Sequence, residues 1–195
     1  MSIIFQNPGL AEIKALTTIG VNVKEEAKAI GYFGTGFKFA IATLLRHGAE
    51  IELWLGAEHH TFNARTETIR AQSFQIVHFD DQPLGFTTMM GKDWALWQCF
   101  RELHSNALDE GGDSARGKRP TKGTPGDTTI VVTLPEFEKV FEEKSKIFLS
   151  GKCISASEHA EVWPNNRTGC LYFKSVRATE PGMLWTPPLY TYNVV

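Results

Sequence analysis

The sequence predicts an α+β fold, in which helices pack on one face of a mixed, mostly antiparallel sheet. Strand-like runs follow one another closely between residues 50 and 79, as in an antiparallel meander. Two runs of helical length, Phe37 to Arg46 and Trp94 to Asp109, flank that region. The chain has 195 residues, of which 42% are hydrophobic and 22% charged, a composition typical of one globular domain. We therefore expect a two-layer α/β sandwich over residues 1–195.

The elements of the first third follow from local patterns. Ser2 to Gln6 is rich in strand-forming residues and ends at a turn sequence, Asn7-Pro8-Gly9. A short helix is expected from Leu10 to Leu16. Residues 17–29 mix glycine, asparagine and charged side chains, which predicts a surface loop. The helix from Phe37 is expected to end near His47-Gly48.

The remaining elements are predicted in the same way. Four strands are expected, over Glu50 to Leu55, His60 to Ala64, Thr68 to Ala71 and Phe74 to Phe79. The helix from Trp94 should end at Gly111-Gly112, a common helix C-cap pattern. A flexible loop is expected over residues 113–127, then the strand Thr128 to Leu134 and an amphipathic helix from Pro135 to Phe148. Cys170 to Val176 is predicted as a strand.

Charge and cysteine usage narrow the function class. The net charge of −2 gives no broad positive field, so nucleic acid is not an expected partner, although residues 116–122 form a local basic loop. The cysteines Cys99, Cys153 and Cys170 form no CxxC pair and indicate reduced thiols. No leader and no apolar run of bilayer-spanning length is evident. We expect a cytoplasmic protein without a membrane partner.

Polar residues on one face of the second long helix suggest chemistry. Glu102, Asn106 and Asp109 fall within an arc of roughly 60° at helical spacing. An amide oxygen is a suitable ligand for Mg²⁺, and a glutamate one turn away can deprotonate a water molecule. The alternative interpretation is a solvated polar face of an amphipathic helix.

Glycines precede the first long helix in the stretch IGYFGTGFKFA, residues 30–40. Gly31, Gly34 and Gly36 would leave backbone N–H groups open at a helix N-terminus, where anions bind. The spacing G-x-x-G-x-G matches neither the dinucleotide fingerprint nor the P-loop, in which the lysine comes later than Lys38 does here. The alternative is a glycine-rich segment that only turns the chain.

Together, IGYFGTGFKFA and RELHSNALDE (residues 101–110) resemble two motifs of the GHKL ATP-binding superfamily. This superfamily includes DNA gyrase, the ninety-kilodalton heat-shock chaperones, sensor histidine kinases, the MutL mismatch-repair proteins and the microrchidia ATPases. The first stretch is similar to the second glycine box, in its chaperone and microrchidia form. The second is similar to the N-box. The order of the motifs here resembles a circular permutation of the superfamily's order.

The resemblance implies a permuted Bergerat fold that binds ATP and Mg²⁺. In the N-box, Glu102 would be the general base, Asn106 the magnesium ligand and Asp109 a support for the nucleotide pocket. Two weaker matches add Asn7 and Gly9 from a first glycine box and Thr128 from the terminal strand, near the base. The phosphate contacts implied by the second box come from the following residues: Gly31, Gly34, Thr35, Gly36, Phe37 and Lys38.

These expectations lead to two hypotheses about function. The first is a slow Mg-dependent ATPase, because the chain is too short for the extra domain that supplies a lysine to the γ-phosphate in gyrase and MutL. The second is a non-catalytic module that keeps the sandwich as a scaffold and binds a protein partner or a second copy of itself as a homodimer. Asn7 stands where the superfamily has an aspartate, and residues 150–195 match no part of it; both facts favour the second hypothesis.

Overall fold

A computed structural model describes residues 1–19, 35–165, 169–179 and 188–195. The chain divides into two units, residues 1–141 and 142–195. The smaller unit includes the extension expected over residues 150–195 but begins at Glu142. Gly31 and Gly34 of the predicted glycine box lie outside the described residues.

The larger unit is built on a seven-stranded sheet. In spatial order its strands are β5 (Gln82–Thr87), β4 (Gln72–Phe79), β3 (Glu58–Ile69), β2 (Glu50–Leu55), β7 (Asp127–Thr133), β1 (Ser2–Pro8) and β6 (Asp113–Gly117). Every neighbouring pair is antiparallel. Strand β7 lies between β2 and β1, because its run of β-branched residues is buried almost throughout.

Among the described residues, four helices accompany this sheet, and three of them pack against its apolar face. They are α1 (Ile13–Thr17), α2 (Gly36–Arg46), α3 (Leu96–Asp109) and α4 (Pro135–Glu142). Helix α2 packs along α3, and each also contacts the sheet. The ring of Phe5 from β1 lies 5.7 Å from Phe100 of α3 and 6.3 Å from Phe137 of α4, centroid to centroid. These rings anchor the core, since aromatic side chains bury the largest apolar areas.

The opposite face of the sheet is polar. Alternate strand residues point to this side, and among them Glu52 is buried beneath Arg119. The loop after β6 therefore crosses this face of the sheet. A second polar contact, from Gln6 Nε2 to Asp127 Oδ2 at 2.6 Å, joins β1 to the start of β7.

The smaller unit contains a five-stranded mixed sheet. Its strands in spatial order are β11 (Val176–Arg177), β10 (Leu171–Phe173), β12 (Thr191–Val194), β9 (Ala160–Trp163) and β8 (Ser155–Ala156). Only the β10–β12 pair is parallel among these strands of the described residues. Tyr172 is buried and donates its hydroxyl to the carbonyl of Lys146 at 2.7 Å.

The α+β prediction is confirmed at the level of a large antiparallel sheet with few helices, but several details were wrong. The mixed sheet expected for the main layer is antiparallel throughout, and the parallel pair lies in the smaller unit. The two strands predicted at residues 60–64 and 68–71 are one strand, β3, because β4 pairs with it continuously. The predicted loop at residues 113–127 contains β6, which forms because β1 offers it an edge.

The helix predicted from Pro135 to Phe148 was too long. Helix α4 ends at Glu142, and a short 3₁₀ turn follows at Lys144–Lys146. Phe148 instead forms a β-bridge with Val176, and the amide of Arg177 donates to Ile147. The backbone of residues 147–148 is therefore used by the smaller unit and cannot extend the helix.

Candidate functional site

The N-terminus of α2 meets the carboxylate of Glu102 from α3. Gly36 is the first residue of α2, preceded by Thr35 and followed by the buried Phe37. A Cβ atom on Gly36 would lie 2.3 Å from Glu102 Cδ and 2.4 Å from each carboxylate oxygen. Glycine at position 36 thus leaves room for a side-chain carboxylate to approach its Cα directly.

Asn106 lies one helical turn from Glu102. Its Nδ2 atom is 3.5 Å from Glu102 Oε1, within reach of a long hydrogen bond. Glu102, Asn106 and Asp109 are all half-buried, whereas Leu103 and Ala107 are buried in the core. The three polar residues therefore lie at the border of the helix face that contacts the core.

Lys38 points into the protein. Its side chain is 2% exposed, and Nζ donates to the carbonyl of Ala15 in α1 at 2.6 Å. Burial lowers the pKa of Lys38, and the negative charge of Glu102 acts in the opposite direction. The ammonium group therefore links α1 electrostatically to the carboxylate of α3.

The end of β1 is organised by Thr128. In the sheet register Asn7 pairs with Thr128, whose hydroxyl donates to Gly9 O at 2.8 Å and accepts from the amide of Ala11 at 2.8 Å. Gly9 has φ +88°, a left-handed conformation that favours glycine. Asn7 Nδ2 donates to the carbonyl of Pro8 at 2.9 Å. Thr128 thus fixes the turn that leaves β1.

Gly112 places the end of α3 against the end of β1. A Cβ atom at this position would lie 2.0 Å from the carbonyl oxygen of Gln6 and 2.6 Å from the Cα of Asn7. Asp109 is the last residue of α3 and comes shortly before Gly112 in the chain. The structure thus groups Gly36, Lys38, Glu102 and Asn106 at one place, and Asn7, Gly9 and Thr128 at another that adjoins the same helix.

Two features of this region were missed by sequence reasoning. Gly112 was interpreted as part of a helix cap, but its role is the close approach to Asn7. Nothing in the sequence indicates that Lys38 donates to the carbonyl of Ala15, because every residue carries a backbone carbonyl. For Gly112, the only indication in the sequence was that two glycines follow the helix, whereas a helix cap needs one.

An open pocket of 420 Å³ lies beside the turn after β1. It is lined by Leu10, Ala11, Glu12, Ile13, Lys14, Leu55 and Glu58. Its volume falls in the range typical of small-molecule sites. Ala11 connects this pocket to Thr128 through the hydrogen bond of its amide.

The oxygen donors of the site suit magnesium better than a transition metal. Within the described ranges, His, Cys, Asp and Glu side chains form no group of three that could hold a metal ion. The amide oxygen of Asn106 is a hard donor, and Mg²⁺ takes one or two such protein ligands and completes its octahedron with water and phosphate. Asn106 would therefore suit a magnesium ion that arrives with a phosphate ligand, and it leaves Glu102 beside it to act on water.

The basic loop at residues 116–122 uses its arginines internally. Arg116 Nε lies 3.2 Å from Glu138, and Arg119 binds both Glu50 and Glu52. These pairs neutralise the two guanidinium groups, which reduces the positive charge of the loop to that of the exposed Lys118 and Lys122.

The comparisons with known proteins give no relative. No family model, no curated protein and no solved structure matches this chain. Among the described residues, no helix combines the length and apolar composition required to cross a bilayer. The function is therefore inferred from the chemistry of the site.

Proposed function

We propose that this protein binds ATP with Mg²⁺ in a permuted Bergerat-type sandwich and hydrolyses it slowly. The observation that carries the proposal is the carboxylate of Glu102, which lies against the Cα of Gly36 at the N-terminus of α2, with Asn106 one turn away. A base, an anion-binding helix end and an oxygen ligand for magnesium are thus adjacent.

The N-terminus of α2 would hold the phosphates. Its first amides, including those of Gly36 and Phe37, have no partners within the helix and carry the positive end of the helix dipole. Because position 36 is glycine, the carboxylate of Glu102 comes close to these amides. Lys38 adds a positive charge close by, oriented by its bond to Ala15.

Asn106 would supply an oxygen to the metal, and Glu102 would act on water. A magnesium ion bound to Asn106 would supply positive charge that offsets the charge of the phosphates. Glu102 would take a proton from water as the oxygen of that water bonds to the γ-phosphorus and the bond to the bridging oxygen breaks, which releases ADP and inorganic phosphate. Lys38 and Glu102 attract each other electrostatically across the site.

The adenine ring of ATP would be held by Asn7, Asp109 and Thr128. Thr128 fixes the turn at Gly9, and Gly112, shortly after Asp109 in the chain, lies close to Asn7. Asn7 would accept from an adenine amine without a negative charge, which predicts weaker discrimination between ATP and GTP than an aspartate would give.

Calorimetric titration with ATP, ADP and GTP, with and without Mg²⁺, tests the site. We expect magnesium-dependent binding of ATP that Asn106→Ala abolishes, whereas Asp93→Asn, which changes an exposed acid in the loop before α3, leaves it intact. Absence of binding for every nucleotide would overturn the proposal.

A non-catalytic module is the second candidate. It is favoured by the same contact, because a carboxylate at a helix N-terminus, beside a lysine, can be a stabilising structural anion. The substitution Glu102→Ala separates the two functions. An ATPase loses turnover and keeps ATP binding, whereas a scaffold loses stability and has no turnover to lose.

A further inference from the structure

Strands β3 and β4 extend beyond the rest of the sheet as a two-stranded ribbon. Strand β3 pairs with β2 only from Glu58 to Phe62, but it pairs with β4 as far as Ile69. All residues from 65 to 73 are exposed, and Ile69 is 52% exposed. A ribbon of two strands is marginally stable in water without further pairing or packing.

One edge of this ribbon directs backbone groups outward. The amide of Asp80 donates to Thr61 O at 2.8 Å, and the amide of Thr61 donates to Asp80 Oδ1 at 2.8 Å, so both backbone groups of Thr61 point to the β4 side. Because this direction alternates from residue to residue along an antiparallel ladder, the odd-numbered residues of β3 bond to β4. The even-numbered residues Ala64, Thr66 and Thr68 consequently direct N–H and C=O groups to the free edge. No strand among the described residues pairs with that edge beyond Phe62.

The outer edge of β5 differs from the free edge of β3. Strand β5 contains Pro83 and pairs with β4 through a register shift between Ile76 and His78. Proline and bulges are common devices that prevent edge-to-edge pairing. The edge from Ala64 to Ile69 contains neither proline nor lysine. Its charged residues, Arg65 and Glu67, are of opposite sign and lie on the same face of the ribbon.

These charges select one register for pairing with an identical edge. If a twofold axis normal to the sheet relates the two copies, the same face of the ribbon points to the same side in both. Odd-numbered residues of one copy must then lie opposite odd-numbered residues of the other. An axis through Arg65 or Glu67 would place like charges opposite each other. An axis through Thr66 places Arg65 opposite Glu67 of the other copy, twice, and also pairs Ala64 with Thr68.

We propose that the edge Ala64–Ile69 binds the same edge of a second copy of this chain, antiparallel, with Thr66 on the twofold axis. The three outward-facing residues of each copy would then form about six backbone hydrogen bonds. The two ribbons would become one four-stranded sheet. Arg65, which already contacts Asp81 at 2.6 Å, has further donors for the partner's glutamate. Association should be weak, because the contact is small and polar.

Sedimentation velocity of the full chain over a concentration series tests the dimer. We expect the wild type to self-associate reversibly and Thr66→Pro to remain monomeric at every concentration. The proline removes an outward N–H group and none of the backbone hydrogen bonds between β3 and β4; it also removes the exposed side-chain bond from Gln75 Nε2 to Thr66 Oγ1 at 2.7 Å. A proline control at Ala71 is unsuitable, because Ala71 has φ +65°, which proline cannot adopt. The control is therefore Gln72→Ala at the tip of the ribbon. It should dimerise like the wild type.

Charge exchange tests the register. Arg65→Glu or Glu67→Arg alone should raise the dissociation constant about tenfold or more, because like charges then face each other. The double variant Arg65→Glu/Glu67→Arg should dimerise again, and so should an equimolar mixture of the two single variants. A wild type that stays monomeric, or a dimer that Thr66→Pro leaves unchanged, would overturn the proposal. A dimer that responds to proline but not to charge exchange would overturn the register.

Discussion

Two glutamates lie on opposite sides of the seven-stranded sheet, and each is close to a basic side chain. On the polar face, Glu52 accepts from Arg119 through both oxygens, one of them at 2.8 Å, and His59 Nε2 lies 3.1 Å away. On the helix side, Glu102 lies against the Cα of Gly36 and within the electrostatic reach of Lys38. The donors at Glu52 are the side chains of Arg119 and His59, whereas the carboxylate of Glu102 fills the space that a side chain at position 36 would occupy.

The difference separates a structural carboxylate from a candidate reactive one. Burial raises the pKa of Glu52, but hydrogen bonds from Arg119 and His59 outweigh burial and lower the pKa overall. Such a carboxylate is fixed as an anion and holds the loop after β6 over the sheet. At Glu102, glycine instead of a larger residue lets the carboxylate reach the N-terminus of α2.

The largest expected effect is at Glu102. Replacement by glutamine keeps the shape of the side chain and removes its ability to accept a proton. We expect turnover of ATP to fall by about 100- to 10,000-fold, while the affinity for Mg-ATP remains within a few-fold. Steady-state phosphate release and calorimetry measure the two quantities. Equal turnover in Glu102→Gln and wild type would remove the distinction between the two glutamates.

Gly36→Ala should move the carboxylate without unfolding the protein. The new Cβ would overlap the end of a flexible side chain, so Glu102 would be displaced and turnover should fall by about 100-fold. Alanine favours the helix, so the free energy of unfolding should change by no more than about 1 kcal/mol. Urea denaturation followed by circular dichroism measures this energy. Loss of both turnover and stability would indicate that Glu102 supports the fold.

Arg119→Ala should reduce stability and leave turnover unchanged. The substitution leaves the buried carboxylate of Glu52 without its guanidinium partner, but Arg119 is half exposed and water can replace part of the contact. We expect a loss of about 1–2 kcal/mol in the free energy of unfolding. Arg65→Ala, which removes an exposed pair with Asp81, is the matched control and should lose less. A fall in turnover in Arg119→Ala would link the polar face to the site.

The smallest effect concerns pH. Because the pKa of Glu52 is lowered below its ordinary value of 4.5, its contribution to stability is fully present above that value and lost as pH falls through the folded-state pKa. The stability difference between wild type and Glu52→Gln should therefore shrink in acid. Urea denaturation between neutral and acid pH measures it, with Glu136→Gln, at an exposed position, as the control. A difference independent of pH would show that the ionised form is not what stabilises the loop.

Strong local patterns allowed much of the fold to be predicted. Strand β2 was predicted at its observed bounds, because apolar and polar residues alternate over Glu50–Leu55. Helices α2 and α3 were predicted within two residues, since their apolar spacing is regular. Strand β6 was missed because its residues carry no alternation, and only the neighbouring strand β1 makes them a strand.

Part of the site was also predictable, and part was not. The spacing of Glu102 and Asn106 follows from helix geometry, so their proximity was expected. The direction of Lys38 was not predictable, because a lysine after a glycine loop can point to solvent or inward with equal local cost. Its burial depends on α1, which supplies the carbonyl of Ala15 from a distant part of the chain.

The position of β1 within the sheet has a consequence for biosynthesis. Strand β1 lies between β7 and β6, and its register joins Phe5 to Ile130 and to Ser114. When the first strand leaves the ribosome, both of its neighbours are still to be translated, and at usual elongation rates they follow on the order of ten seconds later. During that interval the strand's apolar side chains have no partner in the nascent chain. This sheet should therefore form only after β6 and β7 have left the ribosome, because it depends on contacts distant in sequence. Nascent chains truncated before Thr133 should be sensitive to protease.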